Sequence, residues 1–227
     1  MIHTLSLWLK RLQFLTPLRS QMVHRHDYFF WPAELAFLCE QIESSVQGGG
    51  IALEIGCAHG ATTAFLNKHL QWARTYNNLR DGVRYVCLDT FSGFTRDDVL
   101  YEKDHRGKSG PHYNAYRINS PEWFQCMLDV NQIQGVTVEK GDAATFDYRS
   151  LGPVGFCLLD VDLYLPTIAA LPQIHEQLRP GGLIIVDDCA PGQVYDGALQ
   201  AYLEFVRTQG MEPEIHHRKF GVIRKAL

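Results

Sequence analysis

Apolar positions along this chain recur at two periods, and the alternation between them predicts the elements. At helical spacing, Leu5, Trp8, Leu9, Leu12 and Leu15 share one face, with Lys10 and Arg11 off it. Behind Pro32 a second stripe follows: Leu35, Leu38, Cys39, Ile42 and Val46. Gly48, Gly49 and Gly50 close that helix. Short apolar runs then appear at residues 51–55, 83–88, 136–138, 154–159 and 183–186. Each is too short for a helix and is bounded by glycine, proline or acid, so each is predicted as a strand. Between them, helical spacing spans residues 61–76, and further helices start at Ser120-Pro121 and at Pro166. Pro172 predicts a kink or break in the helix begun at Pro166, and Arg179-Pro180-Gly181-Gly182 predicts a turn into the fifth strand. Val194, Ala198, Ala201, Tyr202 and Phe205 mark the last long helix. Residues 214–217 and 220–224 read as two short strands around a turn, an antiparallel hairpin at the sheet edge.

Strands alternating with helices imply an α/β fold with a mostly parallel sheet. Residues 95–119 form the longest stretch without periodicity, rich in charge and histidine, and are expected to be an irregular lid over the site. The chain divides into residues 1–31, an amphipathic helix with a polar connector, and residues 32–227, the main domain. The helix is read as a cap or a homodimer contact and not as a membrane anchor. His24, His26 and Asp27 in the connector read as solvated and not as a metal site.

Composition narrows the functional classes. At 227 residues the chain suits one domain, and a net charge of −4 with pI near 6.2 gives no footprint for nucleic acid. A small-molecule partner is the default. Six cysteines without a C-x-x-C pair predict free thiols in a reducing compartment. With no apolar run of membrane-spanning length and no secretory pattern at the N-terminus, a cytoplasmic location is expected.

The chemistry gathers at strand ends, where ligands bind in such sheets. The first strand runs into Glu54-Ile55-Gly56, and Gly60 follows at the start of a helix. Here Gly56 lets the backbone approach a ligand, and Gly60 suits the turn into the helix. A dinucleotide fingerprint would read G-x-G-x-x-G, whereas this turn reads E-x-G-x-x-x-G. A carboxylate beside the turn disfavours pyrophosphate and suits an ammonium group, pointing to S-adenosylmethionine over NAD. The alternative at this point is a glycine turn that binds nothing. Asp89, 35 residues beyond Glu54, ends the second strand, where an acid accepts both hydroxyls of a ribose. Thr62, Thr90, Phe91, Gly141, Asp142 and Asp160 complete the candidate cofactor set, with Asp142 placed for an adenine amino group. The fourth and fifth strands end in Asp160 and in Asp187-Asp188, oxygen donors suited to a hard divalent cation. Crowded carboxylates repel unless something positive sits among them.

With LEIGCAHGATT, LDTFSGF, KGD, LLDVDLY and LRPGGLIIVDD in hand, residues 50–225 resemble a class I S-adenosylmethionine-dependent methyltransferase. More narrowly, they resemble the macrocin (TylF-like) sugar O-methyltransferases. The resemblance implies a Rossmann-like, doubly wound sheet of seven strands with a terminal antiparallel hairpin. It also implies Mg2+ held by Asp160, Asp187 and Asp188, and a sugar hydroxyl as methyl acceptor. Catechol-type relatives carry a lysine base three residues after the first metal ligand, where this chain has Leu163, and some macrolide-sugar members have a histidine where Ala190 stands. The candidate catalytic residues are therefore Asp162 and Asp160, with the lid histidines His105 and His112; Asp162 and the two histidines are the candidate bases. Two alternatives remain: a non-catalytic binding or scaffolding protein on the same fold, and a catechol-type phenolic O-methyltransferase.

Overall fold

The computed structural model describes residues 8–9, 12–17 and 30–226. The helix predicted over residues 5–15 thus falls partly within the described residues. Residues 8–9 and 12–14 are helical, with Trp8, Leu9, Leu12 and Leu15 exposed. His24, His26 and Asp27 lie outside the described residues.

The order is α1 Pro32–Gln47, β1 Ile51–Ile55, α2 Ala61–Tyr76, β2 Tyr85–Asp89, α3 Arg96–Arg106, α4 Pro121–Val130, β3 Val136–Lys140, β4 Val154–Leu159, α5 Tyr164–Gln177, β5 Leu178–Val186, α6 Gly197–Thr208, β6 Glu214–His216 and β7 Phe220–Arg224. Among the described residues these strands form one seven-stranded sheet in the order β3-β2-β1-β4-β5-β7-β6. Pairing is parallel from β3 through β5, and the β6–β7 hairpin joins β5 antiparallel, as expected. Strand order reverses between β1 and β4, the place where such sheets open to ligands.

The central strands are continuous apolar runs because both faces are covered. Alternate residues serve opposite sides. Ala52, Cys87, Phe156 and Leu158 pack under α1, α2 and α4, whereas Leu53, Val86, Cys157 and Leu159 pack under α5 and α6. Burial of each Val, Leu or Phe side chain among them contributes roughly 1.5–3 kcal/mol relative to exposure. All six cysteines are free, five of them buried. No helix among the described residues is long and apolar enough to cross a membrane.

Three local expectations are corrected. Residues 95–119 are not irregular: they contain α3 and a 3-10 turn at Pro111–Asn114. Thr95 caps α3, its Oγ1 accepting from Asp98 N at 3.2 Å and donating to Asp98 Oδ2 at 2.6 Å. Gly107, left-handed at φ 66, ends it. Pro172 does not break α5, whose buried residues Ala170, Leu171 and Ile174 press both halves onto the sheet. Residues 179–182 are not a turn ahead of the strand but a bulge within β5. Pairing jumps there from Val154 with Leu178 to Phe156 with Leu183.

Candidate active site

Backbone hydrogen bonds carry the ladders one step past the strand ends. Gly56 N donates to Leu88 O, Asp160 N to Ile55 O and Asp187 N to Leu159 O, each at 2.9 Å, and Gly141 N to Asp89 O at 3.0 Å. The acids that terminate neighbouring strands are thereby held along one rim. They open onto a single cleft of about 260 Å³. Gly56, at φ 86, is required where the tips of β1 and β4 cross, because a Cβ there would collide with the Asp160 carbonyl oxygen.

One end of the cleft is built around Asp89. Its Oδ1 accepts from Phe91 N at 2.6 Å and its Oδ2 from Ala58 N at 2.8 Å, so the carboxylate ties the glycine turn to the tip of β2. Burial pushes its pKa up, while these two backbone bonds and His59 pull the other way. Each oxygen keeps a further lone pair for a ligand hydroxyl. Gly56, Thr62, Thr90, Gly141 and Asp142 line the same end, and Asp142 is set by Ala144 N donating to its Oδ1 at 2.8 Å. This arrangement fits a nucleoside: close backbone at Gly56 and an acid positioned for a diol. Gly60 and Phe91 support the wall from behind; a Cβ on Gly60 would strike the Met127 side chain, and Phe91 is buried.

Glu54 is placed differently from the expectation of an ammonium partner. It does not line the cleft. Its Oε2 instead accepts from Thr63 Oγ1 at 2.7 Å and Tyr85 OH at 2.6 Å, beneath α2. Burial raises its pKa to about 7, against the lowering effect of those two hydroxyls.

At the other end of the cleft stand Asp160, Asp162, Asp187 and Asp188. Asp162 and Asp188 adopt left-handed backbone at φ 63 and φ 57, which turns their side chains back toward the cleft at a conformational cost. Burial and mutual repulsion push the carboxyls of Asp160 and Asp162 well above the usual range and Asp187 to about 7. The positive group among them is Lys219. Its Nζ lies 2.9 Å from Asp187 Oδ1 and 2.8 Å from Asp188 Oδ1. The contact to Asp188 is a hydrogen bond, whereas Asp187 Oδ1 is buried with no hydrogen-bond donor aligned on it, making that pair ionic by proximity alone.

The expected metal trio does not fit an ion in this arrangement. Lys219 engages two of the three carboxylates, and no three His, Cys, Asp or Glu groups among the described residues are disposed to hold one ion. The two lid histidines also stand apart from the cleft. His105 stacks on Tyr101 with ring centroids 4.4 Å apart, and His112 packs against Tyr113 and Tyr195. Of the three candidate bases, Asp162 alone lines the cleft.

Sequence reasoning missed Lys219 and an aromatic rim of Phe94, Tyr116 and Tyr195, all of which line the cleft. Phe94 meets Tyr116 edge-on at 5.8 Å and Tyr195 at 5.7 Å. Phe94 belonged to the LDTFSGF segment and was within reach; Lys219 and Tyr195 sit in turns that carry no periodicity.

A family model described as a methyltransferase domain matches residues 53–189. No curated protein sequence matches the chain. Among solved structures, the O-methyltransferase NovP superposes with a TM-score of 0.70 at 18% identity, over 85% of this chain and 79% of that one. CalS11, a calicheamicin methyltransferase, gives 0.65 at 20% identity over 95% and 89%. Its apo structure, described as a TDP-rhamnose 3'-O-methyltransferase, gives 0.57 at 19% identity over 93% and 85%. At these identities the likeness shows the fold.

Proposed function

The chain belongs to the class I S-adenosylmethionine-dependent methyltransferases, its family domain spanning residues 53–189, and on that premise we propose that it methylates a hydroxyl oxygen of a small molecule, a sugar of a glycosylated natural product or glycan. The observation that carries the reading is the continuity of one cleft from Asp89 to the Asp160–Asp162–Asp188 cluster. A nucleoside held at the first end places its reactive group toward the second, where acids and aromatic faces receive an acceptor. When bound, S-adenosylmethionine supplies an electrophilic methyl group and departs as S-adenosylhomocysteine.

The protein's own contribution is positioning. Asp89 and the Gly56 turn hold the nucleoside. Phe94, Tyr116 and Tyr195 offer flat apolar faces of the kind that stack on sugar rings, while neighbouring carboxylates accept from ring hydroxyls. Asp162 takes the proton of the attacking hydroxyl, being the candidate base that faces the cleft. The sugar O-methyltransferase named among the similar structures supports this acceptor class by analogy of fold.

A second reading keeps Mg2+ at the acid cluster, and requires Asp187 and Asp188 to turn away from Lys219 to hold it. It draws support from four carboxylates facing a single ammonium, a surplus of negative charge that a divalent ion would offset. Product mass spectrometry on a panel of glycosides and catechols with S-adenosylmethionine tests the proposal. A methylated glycoside is the expected result. Methylation of catechols alone would move the reading to a phenolic enzyme, and no product from any acceptor would favour the non-catalytic binder.

A further inference from the structure

The acid cluster calls for positive charge, and the fold delivers it covalently. Lys219 sits in the β6–β7 turn, where His217 and Arg218 are both left-handed at φ 53 and φ 56. Two central residues with positive φ make a hairpin turn of type I′, here without the usual glycine. Lys219 N closes the turn by donating to His216 O at 3.0 Å, and Cys189 N donates to Lys219 O at 2.7 Å, lashing the turn to the segment just after Asp188. The side chain then reaches into the cleft, crossing the Phe30 ring at 5.2 Å from its centroid. Its ammonium stands within 3 Å of two carboxylates on separate residues, with only 22% of the side chain exposed.

We propose that Lys219 is the resident cation of the acid cluster, holding Asp187 and Asp188 in the place a divalent ion would take, so that this end of the cleft receives its acceptor without a metal. The inference deepens the proposed function and rests on it for what the cleft receives. A divalent ion needs oxygen ligands on several sides at short range. Here the two adjacent carboxylates are turned onto the ammonium, and an entering ion meets its repulsion at close quarters in a poorly solvated site. An ammonium differs from a divalent ion in a useful respect: it donates a hydrogen bond, here to Asp188 Oδ1, and so fixes the direction of that carboxylate while its charge holds Asp187 close. Lys219 is thus a positioning residue that acts through Asp187 and Asp188. A purely structural pin would secure the hairpin equally well but would leave the ion preference of the cluster unchanged.

The test is a titration with Mn2+ followed by electron paramagnetic resonance, on the wild-type chain, K219M and K219R, each checked by thermal melting. The wild type and K219R are expected to bind Mn2+ weakly, and K219M to bind it at least about tenfold more tightly, because the competing charge is gone. If K219M fails to fold, K219Q serves in its place. Tight stoichiometric Mn2+ binding by the wild type, no gain in K219M, or a gain shared by K219R would overturn the proposal. In a parallel arm, product formation by the wild type should persist in excess EDTA. The titration uses neither methyl donor nor acceptor, so its outcome stands apart: failure of S-adenosylhomocysteine to bind would remove the proposed function and leave the ion measurement intact.

Discussion

Both oxygens of Asp89 accept backbone bonds, from Ala58 and Phe91, so the carboxylate that would meet a ribose also holds the turn that would meet the rest of the ligand. Asp89→Ala should therefore weaken S-adenosylhomocysteine binding by roughly 1–3 kcal/mol in calorimetry, with turnover falling alongside. Asp162→Asn should lower the single-turnover rate by about a hundredfold or more while leaving that affinity near normal, with His105→Gln and His112→Gln close to wild type. A large loss in either histidine variant with an intact Asp162→Asn would reassign the base. Glu54 makes a different prediction. Its folded pKa of about 7 lies above the ordinary carboxylate value, so its contribution to stability is fully present in acid and is lost as pH rises toward 7. The wild type should lose on the order of 2–3 kcal/mol of unfolding free energy through this group between about pH 4.5 and 7, and Glu54→Gln should remove that slope in urea titrations. The acids were legible because each ends an apolar run. The inward turn of Glu54 was also legible in principle: it shares the period-two face of Ala52, the face covered by α2. Lys219 was not, since its proximity to Asp188 arises from antiparallel pairing of β7 with β5 across 31 residues.

At the scale of elements, α3 carries the largest departure from the sequence reading. Its polar composition hid a helix whose start signal, Thr95 three residues before Asp98, stood in the sequence. What the sequence could not show is how α3 is moored. Glu102, 1% exposed, accepts from Arg106 Nε at 2.8 Å and from Tyr164 N at 2.8 Å, so it joins α3 to the first turn of α5 just beyond Asp162. Arg106 and Lys108 also reach Asp196 at 2.7 Å and 2.8 Å. Glu102→Ala would leave a mostly buried guanidinium with one partner fewer and the Tyr164 amide with none, and should cost at least ~2 kcal/mol in thermal unfolding. Limited proteolysis near Lys103 and Lys108 should then speed up markedly in the variant. Unchanged cutting would mean that α3 is held by other contacts. In the same way, the bulge at residues 179–182 was readable as glycine punctuation, but its place inside β5 depends on Arg179, which donates to Gly49 O at 2.7 Å and to Ser45 O.

On the scale of the whole molecule, the parallel pairing follows from the alternation of strands and helices, and two-sided burial explains why the central strands read as unbroken apolar runs. The same order sets β1 and β4 side by side at the reversal, so the nucleoside end and the acid end become two halves of one cleft. The proposed sugar acceptor was less legible because the proposal draws on Phe94, Tyr116 and Tyr195, which approach one another from separate loops. Calorimetric titration of the wild-type chain with S-adenosylhomocysteine and, separately, with NAD tests the cofactor assignment on which everything else stands. Saturable one-to-one binding of S-adenosylhomocysteine with no heat from NAD is the predicted result; binding of NAD with none of S-adenosylhomocysteine would contradict it.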